Sequence, residues 1–208
     1  ASRARERTRA RATRGTGFRA PPSQRVASLA ASESMPFLDQ PKNLDGKMAG
    51  DVGFDPLGLS EIDDLGIDLY WLREAEIKHG RVAMLAATGV LWVEIFGPLP
   101  GWPVADGRSQ MDVFWDAFDE HPNAIAAGLL FITIIEAISG VATTMGRETG
   151  ERAPGDFGFN PLKFEVTEAM ALKEVKNGRL AMWAVMGMIF QGTNTHEPIF
   201  DNLGKMFS

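Results

Sequence analysis

Glu76, His79 and Arg81 stand together in one phrase, Glu76-Ile-Lys-His79-Gly80-Arg81-Val-Ala-Met84, which recurs as Glu174-Val-Lys-Asn177-Gly178-Arg179-Leu-Ala-Met182. A glutamate and the imidazole or amide three residues on share one helical face. The arginine, five residues after the glutamate, lies about 140° round a helix of ~100° per residue and is turned away from it. Two chemistries are open to such a set. Glu76 and His79 could exchange a proton as an acid–base pair. Alternatively, a carboxylate and a neutral nitrogen or oxygen one turn apart could each ligate a metal. A bare divalent cation needs several donors converging on one point, whereas a macrocycle that already surrounds its metal needs one axial ligand. Single ligands spaced along a helix therefore fit magnesium tetrapyrroles better than a metal cluster. The plainer alternative is that Glu–Arg contacts lock two helices together; two copies in register favour ligands.

The duplication extends beyond these residues. Each copy is preceded by one loop phrase, Gly50-Asp51-Val-Gly-Phe54-Asp55-Pro56-Leu57 and Gly155-Asp156-Phe-Gly-Phe159-Asn160-Pro161-Leu162. Each is followed by a stretch of apolar and small residues. Two helices related by a two-fold axis would let each arginine reach the other helix's glutamate, giving Glu76–Arg179 and Glu174–Arg81 pairs. Reciprocal pairs offset much of the cost of holding four charges at membrane depth. Gly80, Gly178, Ala83 and Ala181 keep the facing surfaces small, so backbones or a flat ligand can approach closely.

Three long helices must position these groups, over about 67–96, 122–145 and 166–192. The first stops at Gly97-Pro98, and the second opens on Pro122, suited to a first helical turn. Only the middle one reads as continuously apolar. The outer two, at ~1.5 Å per residue, reach ~40 Å and exceed a ~30 Å hydrocarbon layer, so they would cross it tilted. The expected fold is an all-α membrane protein with three transmembrane helices, the first and third crossed as a pseudo-two-fold pair. Residues 111–118 read as a short amphipathic helix with Asp112 and Asp116 on its wet side, and 198–207 as another. The loop over 98–121 holds one basic residue, Arg108, against five acids, whereas the loop over 146–164 holds Arg147, Arg152 and Lys163. The positive-inside rule then puts the N-terminus and the second loop on the cis side, and the acidic loop and C-terminus on the trans side.

Composition narrows the functions further. The 208 residues carry no cysteine, which excludes disulfide scaffolds, iron–sulfur centres and thiol nucleophiles. Residues 1–31 hold eight arginines and a single acid, Glu6, without an apolar run. That is the composition of an organelle transit peptide or of a retained basic arm. No aromatic platform accompanies the arginines, so no nucleic-acid partner is expected. Two regions follow: a basic arm over 1–34 and a membrane domain over 35–208.

From Met35 to about Ser208 the chain resembles the light-harvesting complex superfamily, the three-helix chlorophyll a/b- or a/c-binding antenna proteins. The resemblance rests on the two Glu-to-Met phrases, whose wording is similar to red-lineage members such as fucoxanthin- and photosystem I-type antennae. It implies that Glu76, His79, Glu174 and Asn177 are axial magnesium ligands, with Arg81 and Arg179 as charge partners. Gln191 matches a further chlorophyll ligand. Glu136 matches another, although Ser139 stands where the family often has an arginine. Gly128 and Met206 replace ligands the family often carries, and His196 is out of register and read as a surface residue. Asp51, Phe54, Asp55, Asp156, Phe159 and Asn160 match the loop positions that hold the ends of two carotenoids; the same residues suffice as plain turn and helix-entry residues.

The implied function is light harvesting without bond chemistry, hence no enzyme. The implied cofactors are chlorophyll a, chlorophyll c (or b), xanthophyll carotenoids and lipids. The implied setting is a plastid (chloroplast) thylakoid membrane crossed several times, with the N-terminus stromal and the C-terminus lumenal. Partners would be membrane lipids, neighbouring antenna subunits and a photosystem, photosystem I ahead of photosystem II. Two rivals differ in what they require. A photoprotective, energy-dissipating relative would use protonatable lumenal acids such as Asp112, Asp116 and Glu120. An intramembrane enzyme would be colourless and depend on His79.

Overall fold

The structure is a computed structural model that describes residues 31–62 and 68–207. The basic arm up to residue 30, and Ile67 at the expected first helix start, lie outside these. Five α-helices account for most of the described chain: α1 (Leu69–Phe96), α2 (Gln110–Glu120), α3 (Pro122–Thr149), α4 (Glu168–Thr195) and α5 (Ile199–Met206). Local sequence explains where they begin. The side chains of Asp68, Ser109 and Thr167 accept hydrogen bonds from backbone N–H groups in the first turns of α1, α2 and α4. Each satisfies a donor that the helix itself leaves open. Pro122 occupies the first turn of α3.

Helix ends were less legible. α3 continues to Thr149 and α4 to Thr195, beyond the apolar runs that suggested about 145 and 192. Gly146 and Gly192 lie inside the helices because each is buried against a neighbour: Gly146 against Tyr70 and Arg152, Gly192 against Met111 and Ser109. The backbone turns only at Gly150 and His196, both left-handed.

α1 and α4 form the main interface and cross at two glycines. A Cβ placed on Gly80 would lie 3.0 Å from the Gly178 Cα, and one placed on Gly178 would lie 3.0 Å from the Gly80 Cα. Ala83 and Ala181, one turn further on, are also buried. Close approach of this kind is how small residues bring helices together where water does not drive association. α3 runs beside α1, joined at its C-terminal end by Arg147 Nε donating to Asp68 at 2.7 Å and at mid-height by side chains described below. α2 closes on the C-terminal end of α4: Ser109 N–H donates to the His196 carbonyl at 3.0 Å. At the same end Glu94 of α1 accepts the Ile199 N–H at 2.9 Å, fixing the start of α5.

Much large apolar surface points outward. Trp183 is 79 % exposed, Leu180 69 % and Phe131 65 %. A chain in water rarely leaves so many such groups uncovered. Among the described residues, α3 alone meets a length-and-apolarity test for a membrane span, with a mean hydropathy of 2.1 over its most apolar stretch and none of that stretch buried. α1 and α4 are also 28 residues long but carry most of their charges in their N-terminal halves.

The expected amphipathic character of α2 needs one correction. Val113 and Ala117 face inward, and Asp112, read as standing on the wet side, is half-buried and paired. It accepts from the Ser109 hydroxyl at 2.8 Å and lies 3.0 Å from His196 Nδ1. Asp116 instead pairs with Arg108 at 2.6 Å.

The crossing makes a direct prediction. Gly80→Ala or Gly178→Ala should each cost about 1–3 kcal/mol, the usual cost of overpacking a tight contact. Gly89→Ala meets nothing within 4 Å and should be near neutral. Thermal melting of the helical circular dichroism signal distinguishes them.

Candidate functional site

Just N-terminal to the crossing, the two phrases meet. Arg179 Nε donates to Glu76 Oε1 at 2.7 Å, and Arg81 Nε donates to Glu174 Oε1 at 2.6 Å. Each guanidinium also ties down the loop in front of its partner helix. Arg179 Nη1 donates to the Gly50 carbonyl at 2.9 Å, and Arg81 Nη1 to the Gly155 carbonyl at 2.7 Å. Gly50 and Gly155 adopt positive φ (77° and 80°), a conformation glycine takes without steric penalty, so each carbonyl sits where the arginine needs it. The reciprocal pairing expected from the sequence is therefore present, extended by a loop contact the spacing did not disclose.

His79 and Asn177 are equivalent in a second way. His79 Nδ1 lies 2.7 Å from the Ala75 carbonyl, and Asn177 Nδ2 donates to the Lys173 carbonyl at 2.9 Å. Both bonds run back one turn along the helix. A carbonyl accepts only, so Nδ1 is the donor in this contact, and in a neutral ring Nε2 is then the acceptor. The Asn177 Oδ1 is likewise left as an acceptor. Both side chains are exposed beside the crossing. Each thus leaves one neutral acceptor atom that could hold a metal, with its orientation set by a local hydrogen bond.

The two glutamates are less alike than their sequence context. Arg73 Nη1 donates to Glu76 Oε2 at 2.6 Å, so both oxygens of Glu76 are engaged. Glu174 has Ala171 where Glu76 has Arg73, and its second oxygen makes no hydrogen bond among the described residues. Sequence reasoning missed Arg73, although its i,i+3 spacing to Glu76 was a usable signal. It also missed Glu74, which is buried under α3 and the second loop. Glu74 accepts from the Gly155 N–H, from Thr143 at 3.2 Å and from Arg152 at 3.2 Å. No local pattern could have joined residues so far apart.

The loop residues act on their own loops. Asp51 Oδ1 accepts the Gly53 N–H and Asp156 Oδ1 the Gly158 N–H, both at 2.9 Å. Asp55 accepts from Leu59 and Ser60, while Asn160 both accepts from and donates to Phe164. Phe54 and Phe159 point outward, Phe159 at 87 % exposure. Asp51, Phe54 and Asp55 line a groove of about 720 Å³ with Glu76, Arg179 and Trp183. Glu136 and Gln191 are not part of this cluster. Glu136 sits midway along α3 beside Lys78, and Gln191 near the C-terminal end of α4. Among the described residues, no three His, Asp or Glu side chains converge as a bare metal ion would require.

A profile of the family described as Chlorophyll A-B binding protein matches residues 40–193, most of the chain. The chain belongs to that family. It is a family of chlorophyll-binding light-harvesting antennae, not of enzymes. A photosystem I chlorophyll a/b-binding protein 5 of Arabidopsis thaliana is 33 % identical over 203 residues, covering 84 % of this chain and 75 % of the relative. Chlorophyll a-b binding protein 4 from the same plant is 33 % identical over 192 residues, with 82 % and 71 % covered. A fucoxanthin-chlorophyll a-c binding protein of Chattonella marina var. antiqua is 36 % identical over 171 residues, with 80 % and 76 % covered. All three relatives are chloroplastic by name.

Two predictions follow from the local geometry. Arg81→Leu leaves Glu174 without a partner, whereas Arg179→Leu leaves Glu76 with Arg73. Arg81→Leu should therefore lower the yield of refolded antenna several-fold more than Arg179→Leu, measured on a detergent gradient. At the far end, hydrogen bonds from His196 and then Ser109 hold the Asp112 carboxyl below its ordinary range. A lowered carboxylate stabilises above its unfolded value of about 3.9 and loses that effect only as pH falls through the lower folded value. Asp112→Asn should thus raise hydrogen exchange at the α2 amides at about pH 7, and its difference from the parent chain should disappear only as the pH falls below about 3.9.

Proposed function

We propose that this family member is an antenna subunit of the plastid thylakoid membrane that delivers excitation to a photosystem, photosystem I ahead of photosystem II. One observation carries the reading. At equivalent positions of two crossed helices, His79 and Asn177 each have the donor side tied to a backbone carbonyl and the acceptor atom open outward. Pairs that merely locked helices would not require either side chain.

Glu76, His79, Glu174, Asn177, Glu136 and Gln191 are the proposed axial ligands to chlorophyll magnesium. When bound, the pigments supply absorption and excitation transfer. The chain's part is positional: His79 offers Nε2, Asn177 its amide oxygen, and Glu174 the oxygen that Arg81 leaves open. Rigid helices suit that task, because tilt and spacing of each ring decide transfer. The groove beside Asp51, Phe54 and Asp55 is the first proposed xanthophyll site, and the matching loop residues Asp156, Phe159 and Asn160 mark the second. The first is lined mainly by apolar groups such as Met48, Leu72 and Met186. The accessory pigment is chlorophyll c (or b), since the similar relatives include proteins named for either.

In this reading α1, α3 and α4 all cross the bilayer. The outward apolar surface and the neutralised pairs support it: at ~1.5 Å per residue each helix is ~42 Å long. The N-terminal side, rich in arginine, is stromal, and the C-terminus is lumenal. The relative named as a photosystem I protein supports that core as a partner, together with neighbouring antenna subunits and lipids.

Refolding with extracted pigments tests the assignment. His79→Ala and Asn177→Val should each cost about one chlorophyll per chain by solvent extraction and chromatography, with the helical signal retained. Excitation of accessory pigments should produce chlorophyll a emission. A lifetime that stays long between neutral and acidic pH separates harvesting from dissipation.

A further inference from the structure

We propose that Lys78 is the counter-charge that allows Glu136 to serve as a pigment ligand in the middle of α3, a positioning role supplied across helices. The inference rests on the reading of Glu136 as a ligand. Glu136 is the one ionisable residue between Pro122 and Gly146. It therefore stands alone on the most apolar helix of the protein, where an unpaired carboxylate is disfavoured. Its own helix offers no cation one turn away: Ser139 occupies the position from which an i+3 arginine would reach it.

The structure puts the charge there from α1. Lys78 Nζ donates to Glu136 Oε2 and, at 2.9 Å, to Ser139 Oγ. Ser139 in turn donates to the Glu136 backbone carbonyl at 3.0 Å. The serine thus guides an incoming ammonium instead of supplying a guanidinium. Glu136 Oε1 makes no hydrogen bond among the described residues, so neutralisation and ligation use different oxygens.

Two comparisons within the molecule separate this role from simple helix attachment. Lys176 holds the equivalent place in the second phrase, yet it makes no ion pair or hydrogen bond among the described residues, because α3 packs on α1. The α1–α3 contact, moreover, is already held without Lys78 by Asp68–Arg147 and Glu74–Thr143.

The test is refolding with extracted pigments, read as chlorophylls per chain and as yield. Glu136→Ala should lose about one chlorophyll; if it loses none, the ligand reading itself fails. Given that loss, Lys78→Met should lose the same chlorophyll, seen as the same band missing from the absorption difference spectrum. Two second-site changes should restore it: Ser139→Arg, which supplies a cation from α3, and Glu136→Gln, which removes the charge that needs one while keeping a ligand oxygen. Neither rebuilds the Lys78 bridge. Retention of the full pigment complement by Lys78→Met overturns the proposal. So does failure of both double variants to regain pigment or yield, since the bridge itself would then be what matters.

Discussion

The contact between Gly80 and Gly178 sets the distance on which the rest of the site depends. Only without a Cβ on either residue can the backbones of α1 and α4 approach so closely. That separation lets an arginine on one helix reach a glutamate on the other while its remaining N–H groups reach a loop carbonyl. The two pairs then perform three tasks at once. They neutralise charge inside an apolar assembly, fix the crossing, and clamp the loops that shape the grooves. A wider crossing would separate all of these contacts together.

A duplicated frame does not give duplicated surroundings. α3 lies against α1, so only the first of the two crossed helices gains the Lys78–Glu136 and Glu74–Thr143 links. Arg73 gives Glu76 a second cation, while Glu174 has one. Two proposed ligand positions that match in sequence therefore stand in different fields. Local charge shifts the relative energies of pigment states, so such asymmetry is a means of making related sites unequal without changing the ligands.

The frame also fills little of its own interior. Ala83, Val175 and Ala181 are the buried apolar side chains of the α1–α4 pair, and the large groups, Trp92, Phe131, Trp183 and Phe190, face outward. Proteins that stabilise themselves bury such groups against each other. Here the helices meet through small residues and ion pairs, leaving apolar surface uncovered by the protein itself. Stability and function are coupled in that design, because the groups that would be packed by protein elsewhere must be covered by something that binds.

By itself the sequence determined the helix count, the duplicated pair and its reciprocal Glu–Arg contacts, since a repeated phrase with fixed angular offsets leaves little freedom. The caps at Asp68, Ser109 and Thr167 were equally local. The helix ends at Thr149 and Thr195 were not, because burial of Gly146 and Gly192 by distant side chains overrides their local tendency to stop a helix. Only the tertiary structure decided which helix α3 joins, and with it the partners of Lys78, Glu74 and Arg152. Those contacts link residues far apart in the chain, and no spacing rule applies across a loop. Asp112 shows the same limit: periodicity put it on a wet face, and the arrival of His196 from the end of α4 gave it a partner.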